Sequence, residues 1–475
     1  MLGLARSMFR EYDIRGRVNE EELNEKSFAA IMRGYADFLT KRGITKVVVG
    51  YDNRPHSVSF SAIACSLLAK RGFMVYDLGL TLSPVAYYAQ YALSSPGVVM
   101  ITASHNPLGW GGVKLGCGYS QTLGPCEIEE LYTLATKSSD GAGVKPGGEV
   151  RKIDLRPRYL QEIVKRVGPM PSHNLRILLD SANGGAGLFV YELFQDLGCK
   201  TFQLNCDPDA AYPHYFPNPS SPQARERMKE LVKHPYIQAD LALAFDGDGD
   251  RLGAVSCKGQ DIWSDRILIV LASEVLARCP GAPIIYDVKS SRALSEAISS
   301  MGGQGIMCPT GHSHVKAELR RRNSPLAGER SGHIFLGGDF YYGYDDALMA
   351  AAWLVAIMVR RGKTLEELLA PYPCYYTTEE IAIPCPDSEK YAFIEKVKTA
   401  LAQELGQKRL NIINGVRLEL PQGWVLLRAS SNLPELVMVA EGVDEKSRAE
   451  LGGIMLNQIQ EQGLIIPDKL DLNSL

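Results

Sequence analysis

The sequence predicts an α/β chain of four units: three similar α/β units in succession, then a fourth of α+β type. Three observations carry this. A length of 475 residues corresponds to three or four domains at ~150 residues or fewer each. Apolar residues make up 45% and charged residues 22%, enough to give each unit a core. Finally, one pattern occurs three times: a short apolar run ending in an acidic residue, a helical period, a glycine and a second apolar run.

The first copy opens with Lys46-Val-Val-Val-Gly-Tyr-Asp52, too short for a helix and closed by a turn. Arg176-Ile-Leu-Leu-Asp180 and Pro283-Ile-Ile-Tyr-Asp287 repeat it. Such continuously apolar runs read as parallel strands buried on both faces. Helical stretches follow at 60–70, 187–197 and 292–300, with apolar residues three and four apart. Each stops at a glycine suited to a left-handed cap, Gly72, Gly198 and Gly302. Second strands come at 73–76, 201–204 and 305–308, completing a β-α-β unit each time.

Ligands of such sheets gather beyond the carboxyl ends of the strands. A third apolar strand in each unit runs into a polar cluster there: Ser104-His105-Asn106-Pro107, Asp246-Gly-Asp248-Gly-Asp250-Arg251, and Glu329-Arg330-Ser331-Gly-His333. The C-terminal part differs. Residues 416–441 read as antiparallel strands, flanked by helices near 390–405 and 444–462. Linkers are expected at 140–148 and 371–373, which gives domains of 1–148, 149–254, 255–369 and 370–475.

Composition narrows the function classes. Lys+Arg total 51 against 54 Asp+Glu, a net charge of −3, so a broad electrostatic grip on nucleic acid or anionic membrane is not expected. An anionic ligand must instead meet local positive charge. The ten cysteines include no C-x-x-C pair and read as reduced thiols, which suggests the cytoplasm, or an organellar stroma if a transit peptide has been removed. Residues 1–10 hold no apolar stretch long enough for a secretion signal. The longest apolar run, 347–359, falls short of the ~20 residues that span a bilayer.

In the second cluster, three carboxylates alternate with glycines directly after a buried strand. The glycines let the backbone bend so that three oxygens converge on one hard cation such as Mg²⁺ or Ca²⁺. An EF-hand fails, because its sixth and twelfth positions would hold Arg251 and Cys257. Ser104 has two readings, a nucleophile exposed on a turn or a helix-capping hydroxyl, and His105 is equally catalytic or structural. Glu329 and Ser331 can hydrogen-bond vicinal hydroxyls from a glycine-flanked loop, though a plain turn is an equal reading. Cys308, His312 and His314 make at most an incomplete zinc set. Arg428-Ala-Ser430-Ser431-Asn432 offers an arginine fork and neutral donors to a phosphate, or is a surface turn. Arg10-Glu-Tyr12-Asp13-Ile-Arg15-Gly, taken alone, reads as a solvated terminus.

Taken in order, these motifs resemble the α-D-phosphohexomutase family, particularly its phosphomannomutase/phosphoglucomutase branch, over essentially the whole chain. Thr102-Ala-Ser104-His105-Asn-Pro and Asp246-Gly-Asp-Gly-Asp-Arg251 are the specific pair. The resemblance implies three similar mixed-sheet α/β/α domains plus a C-terminal α+β domain around a central cleft. It implies that Ser104 carries a phosphoryl group, and that Asp246, Asp248 and Asp250 hold one Mg²⁺ per chain with the phosphorylated Ser104. A hexose 1,6-bisphosphate would serve as intermediate and activator in exchanging the 1- and 6-phosphates of mannose and/or glucose. Arg15, Lys114 and Arg251 would offset the negative charge, with His105 and Lys114 both open as general base. Glu329 and Ser331 would grip the sugar, with His312 adding a contact, and Arg428, Ser430, Asn432, Tyr12 and Lys289 would hold the distal phosphate. Arg330 stands where the family often has Met or Gln. Expected partners are small hexose phosphates, with the chain a monomer or homodimer. The rivals are a phosphoglucosamine or acetylglucosamine-phosphate mutase, a metal-dependent sugar phosphatase using the same groups, and a non-catalytic sugar-phosphate sensor.

Overall fold

A computed structural model describes residues 4–138, 147–431 and 433–466. The repeated pattern becomes three sheets of one topology. In the first, Lys46–Tyr51 lies between Met74–Leu80 and Gly97–Ile101, parallel to both. Arg176–Asp180 has the same place between Lys200–Leu204 and Leu241–Phe245. Pro283–Asp287 has it between Gln304–Cys308 and Leu326–Gly328. Val47, Val48 and Val49 are fully buried, as continuous β-branched runs covered on both faces should be. Gly72, Gly198 and Gly302 have φ of +85°, +82° and +76°, the left-handed stop that each helix was expected to meet.

In each unit the third parallel strand turns back into an antiparallel strand: Trp110–Cys117, Leu252–Ser256 and Ile334–Leu336. The three polar clusters are therefore equivalent hairpin turns, at 102–109, 246–251 and 329–333. The fourth sheet is antiparallel throughout, and its motif occupies the turn between Gly423–Ala429 and Glu435–Gly442.

Two features depart from the sequence reading. Glu149–Lys152 pairs in parallel with Met74–Leu80, so the first sheet runs past the expected limit at 148. Most of the linker expected at 140–148 lies outside the described residues. The N-terminal motif is not solvated either: Ile14–Arg17 is an edge strand against Trp110–Cys117, and Arg15 is 4% exposed. A backbone ladder and the Asp13 carboxylate, 2.7 Å from Arg15 Nη2, hold the arginine inside.

The run at 347–359 forms the helix Ala347–Arg361, buried at every position to Met358. It is a central post of the core shared by the first three units, packing on helices Arg156–Val167 and Ser264–Arg278. Among the described residues, no helix is long and apolar enough to cross a membrane. The fourth sheet covers one face with helices Lys390–Leu405 and Glu445–Glu461. With its other face it packs Trp424, Leu426 and Val439 on Val288 of the third unit. Arg417 fixes that seam, stacking 3.7 Å from the Trp424 ring and donating to the Val288 carbonyl at 2.6 Å.

Candidate active site

The four hairpin turns converge on one cleft, a cavity of about 320 Å³ with residues of every unit in its wall. Ser104 sits at its base with φ +50°, a left-handed backbone that is strained for a residue with a Cβ. The surroundings hold it there. Thr102 Oγ1 accepts from the Ser104 amide at 2.8 Å, and Asp52 Oδ2 from the Ala103 amide at 3.2 Å. The buried Arg54 guanidinium donates to the carbonyls of Ser104 and Pro107, both at 3.0 Å, and to that of Asn106. Neither Arg54 nor Thr102 was expected to have this role.

The Ser104 hydroxyl donates to Asp246 Oδ2 at 2.9 Å, across 142 residues of sequence, and lies 3.0 Å from His105 Nδ1. Burial, with the charges of Arg251 and Arg15, holds the His105 pKa well below its usual value, so the imidazole is neutral at pH 7. A serine between a carboxylate and a neutral imidazole can give up its proton as it attacks.

Asp246, Asp248 and Asp250 are fully buried, with one oxygen of each within 4.8 Å of the others. Burial, and then the neighbouring Asp250 and Asp248, hold Asp246 well above the carboxylate range. Burial pushes Asp248 the same way, but the Lys114 ammonium and hydrogen bonds from Lys114 and Ser83 outweigh it and bring the group below its usual value. Lys114 Nζ lies 2.7 Å from Asp248 Oδ2 and also pairs with Asp250. Burial disfavours this ammonium, yet the two aspartates outweigh the penalty and keep its pKa well above normal. Lys114 is thus a counter-ion of the triad, and of the two open candidates for base only His105 touches Ser104. Asp248 Oδ1 and Asp250 Oδ1 are buried without a hydrogen-bond partner. Three converging aspartates, one ammonium and two orphaned hard oxygens are a donor set that fits a divalent cation, whose charge would favour the ionised form of Asp246.

Arg15 Nη1 donates to Asn106 Oδ1 at 2.7 Å, which ties the N-terminal strand to the serine turn. Arg251 donates through Nε to His333 Nε2 at 2.9 Å. His333 Nδ1 faces Asp345 Oδ2 at 3.0 Å, and Asp345 also pairs with Lys316 at 3.1 Å. This buried line was missed: Lys316 and Asp345 lie on ordinary-looking helix and loop segments.

Glu329 is 3% exposed; Ser331 donates to its Oε2 at 3.2 Å, while Oε1 is buried and unpartnered. Burial raises its pKa. His312 starts the helix His312–Arg322 with its ring 4.8 Å from that of Tyr12 and its Nε2 unpartnered. Arg428 donates to Asn414 Oδ1 at 2.9 Å and to Ser431 Oγ at 3.2 Å, and the Ser430 hydroxyl accepts from the Leu433 amide at 3.3 Å. Asn432 lies outside the described residues. Lys289 reaches the same cleft but is paired with Glu380.

Fold and site together define a four-domain protein whose serine–carboxylate centre is assembled between separate units. Comparison with known proteins agrees. Family models for phosphoglucomutase/phosphomannomutase alpha/beta/alpha domains I, II and III match residues 6–141, 157–259 and 263–375. A Pseudomonas aeruginosa phosphomannomutase/phosphoglucomutase is 34% identical over 465 residues, 98% of each chain. A Neisseria meningitidis phosphoglucomutase is 34% identical over 92% of this chain and 93% of its own. The solved structure of a phosphoglucomutase/phosphomannomutase family protein from Burkholderia thailandensis superposes with a TM-score of 0.87 at 32% identity, covering 98% of this chain and 100% of that one. The chain belongs to the phosphoglucomutase/phosphomannomutase family of α-D-phosphohexomutases.

Proposed function

We propose that this protein interconverts the 1- and 6-phosphates of mannose and/or glucose by way of a phosphorylated Ser104. One observation supports this above the rest: the Ser104 hydroxyl lies on Asp246 at the base of a cleft that also receives Glu329, Ser331 and Arg428. Phosphoserine gives its phosphoryl to the free hydroxyl of a bound hexose monophosphate, and that hydroxyl's proton leaves as the new ester forms. The resulting hexose 1,6-bisphosphate turns over in the cleft and returns its other phosphate to Ser104, so no phosphate is lost. Asp246, Asp248 and Asp250, with the phosphoserine, would hold one Mg²⁺, which neutralises charge on the transferring group. Arg15, Lys114 and Arg251 add fixed positive charge around it, and neutral His105 is placed to handle the proton at the Ser104 oxygen. Glu329 and Ser331 take two sugar hydroxyls, with His312 beside them. Arg428, Ser430, Asn432, Tyr12 and Lys289 take the distal phosphate.

Intact mass before and after incubation with glucose 1,6-bisphosphate tests this reading. A gain of one phosphoryl group, mapped to Ser104, is expected, along with turnover of mannose 1-phosphate or glucose 1-phosphate in coupled assays. Release of inorganic phosphate without isomerised sugar would instead mark a phosphatase.

Two variants probe the cleft further. A Cβ at Gly247 would stand 2.8 Å from the Ser104 carbonyl oxygen, closer than two such atoms pack. Gly247→Ala should therefore push the serine and acid turns apart and lower kcat by about 10²-fold, the usual result of misplacing reacting groups by about 1 Å. Its melting temperature should fall by a few degrees as the buried turns shift, and unchanged kcat would show that the turns tolerate separation. Arg428→Ala removes a charge-assisted contact to phosphate, so kcat/KM should fall by ~1–3 kcal/mol, mostly through KM. Steady-state kinetics with both parameters unchanged would place Arg428 outside the phosphate site.

A further inference from the structure

The link between strands Tyr376–Thr377 and Ile381–Pro384 brings two acids and a backbone acceptor from the fourth unit to the cleft wall. Glu379 pairs with Arg225 of the second unit, and the Thr378 carbonyl accepts from Arg330 at 2.8 Å. Glu380 pairs with Lys289, Nζ to Oε1 at 2.5 Å. The two partners differ in exposure. The Lys289 side chain is 4% exposed, whereas that of Glu380 is 42% exposed and faces the water of the cleft. The Lys289 ammonium, and more weakly Arg330 and Arg428, hold the Glu380 carboxyl below its usual pKa. Arg330 Nη1 is buried without a partner in the same wall. A protein carboxylate therefore occupies the meeting point of three cations, the surroundings that an oxyanion of a ligand would seek. Arg428 has a second acid near it: Glu11 accepts from His314 Nε2 at 2.8 Å, with Ser431 and Arg428 also acting on it.

We propose that Glu380 is a tethered stand-in for phosphate, pairing with Lys289 in the empty cleft and exchanging places with the phosphate of an incoming ligand. This rests on the reading of Lys289 as a phosphate-holding residue. A lysine nearly excluded from water needs an anion in both states. The exchange supplies one, and it selects for a dianionic phosphate over a neutral sugar or a monoanion, which cannot outbid the tethered carboxylate. The same competition loosens the product. Glu380 is thus a positioning residue that acts through Lys289 and takes no part in the chemistry.

Calorimetric titration of inorganic phosphate into the full chain in EDTA, for wild type and Glu380→Gln, tests the exchange. Removing the competitor should tighten phosphate binding by about tenfold, as when a site is competent in only a tenth of molecules. Glu380→Ala should do the same and Glu380→Asp should restore the wild-type affinity. In a Lys289→Ala background, Glu380→Gln should leave phosphate affinity unchanged, because the two groups would act as one pair. KM for glucose 1-phosphate should fall in parallel, without a rise in kcat. Unchanged or weaker phosphate binding in both Glu380→Gln and Glu380→Ala would overturn the exchange, as would an equal gain in the Lys289→Ala background. Absence of any hexose-phosphate turnover would instead defeat the proposed function, and the phosphate titration would still decide the exchange.

Discussion

Replacing Ser104 by alanine should lower turnover of mannose 1-phosphate and glucose 1-phosphate by roughly 10⁴-fold or more, since loss of a covalent nucleophile leaves only positioning and electrostatics. Binding should survive. The residues proposed to take sugar and distal phosphate, Glu329, Ser331 and Arg428, sit on other hairpins, and the Ser104 hydroxyl bonds Asp246 and His105 instead. The fold should survive as well. Alanine meets the same φ of +50° that serine already tolerates, and the turn is held through backbone atoms by Thr102 and Arg54. Asp246 loses one donor but keeps the Asp250 and Arg251 amides at 3.0 and 3.1 Å on its other oxygen. The expected signature is a collapsed kcat, a hexose-phosphate Kd within about threefold of wild type, and no phosphoryl gain with glucose 1,6-bisphosphate. Near-normal kcat in this variant would remove Ser104 from the reaction.

The sequence made some of this arrangement legible because the signals are local. Val47 to Val49, Leu178 with Leu179, and Ile284 with Ile285 announce strands that are buried on both sides, and three glycines announce where helices stop. Alternating Asp and Gly after a strand announces a turn on which three acids converge. What stayed hidden depends on pairing across the chain. Lys114 sits in a glycine-rich stretch, Trp110-Gly-Gly-Val-Lys114, that family likeness alone marked; its role as counter-ion comes from Asp248, 134 residues away. Arg54 lies in a polar turn, Asp52-Asn-Arg54-Pro, which looks solvated, yet its guanidinium is inside because three carbonyls of the serine loop need a donor there. Arg15 was legible as charge and not as burial, because the strand that encloses it is paired with Trp110–Cys117, about a hundred residues away. The tie between Lys289 and Glu380 spans 91 residues and two units, and no periodicity in either segment hints at it.

Lys114 carries the second large effect, on stability and turnover at once. Its side chain is 3% exposed, and it is the ammonium shared by Asp248 and Asp250. Lys114→Met keeps the aliphatic length and deletes the charge, leaving two buried carboxylates short of a partner, a change that costs ~3–5 kcal/mol. Both partners are charged at pH 7: the Lys114 pKa is raised above its unfolded value and that of Asp248 is lowered below its own. The pair's contribution is therefore fully present at neutral pH, and it is lost as acid protonates Asp248 or as base deprotonates Lys114. In EDTA at pH 7 the variant should melt at least about 6 °C below wild type, at the ~2 °C per kcal/mol of a large cooperative body such as the first three units with their shared core. A divalent cation can then take over the counter-charge that Lys114 supplied. Mg²⁺ at about a hundred times its Kd adds ~2.7 kcal/mol of stability to a protein that binds it only when folded. The melting temperature of the variant should rise more steeply with Mg²⁺ than that of wild type, because the orphaned Asp248 and Asp250 oxygens no longer share their charge with an ammonium. Turnover should still fall, by roughly 10²–10³-fold, since a fixed positive charge beside the transferring group has been removed. Calorimetric melts with and without Mg²⁺ decide the matter: equal melting of variant and wild type in EDTA, or equal responses to Mg²⁺, would mean that Lys114 does not balance the acids it touches.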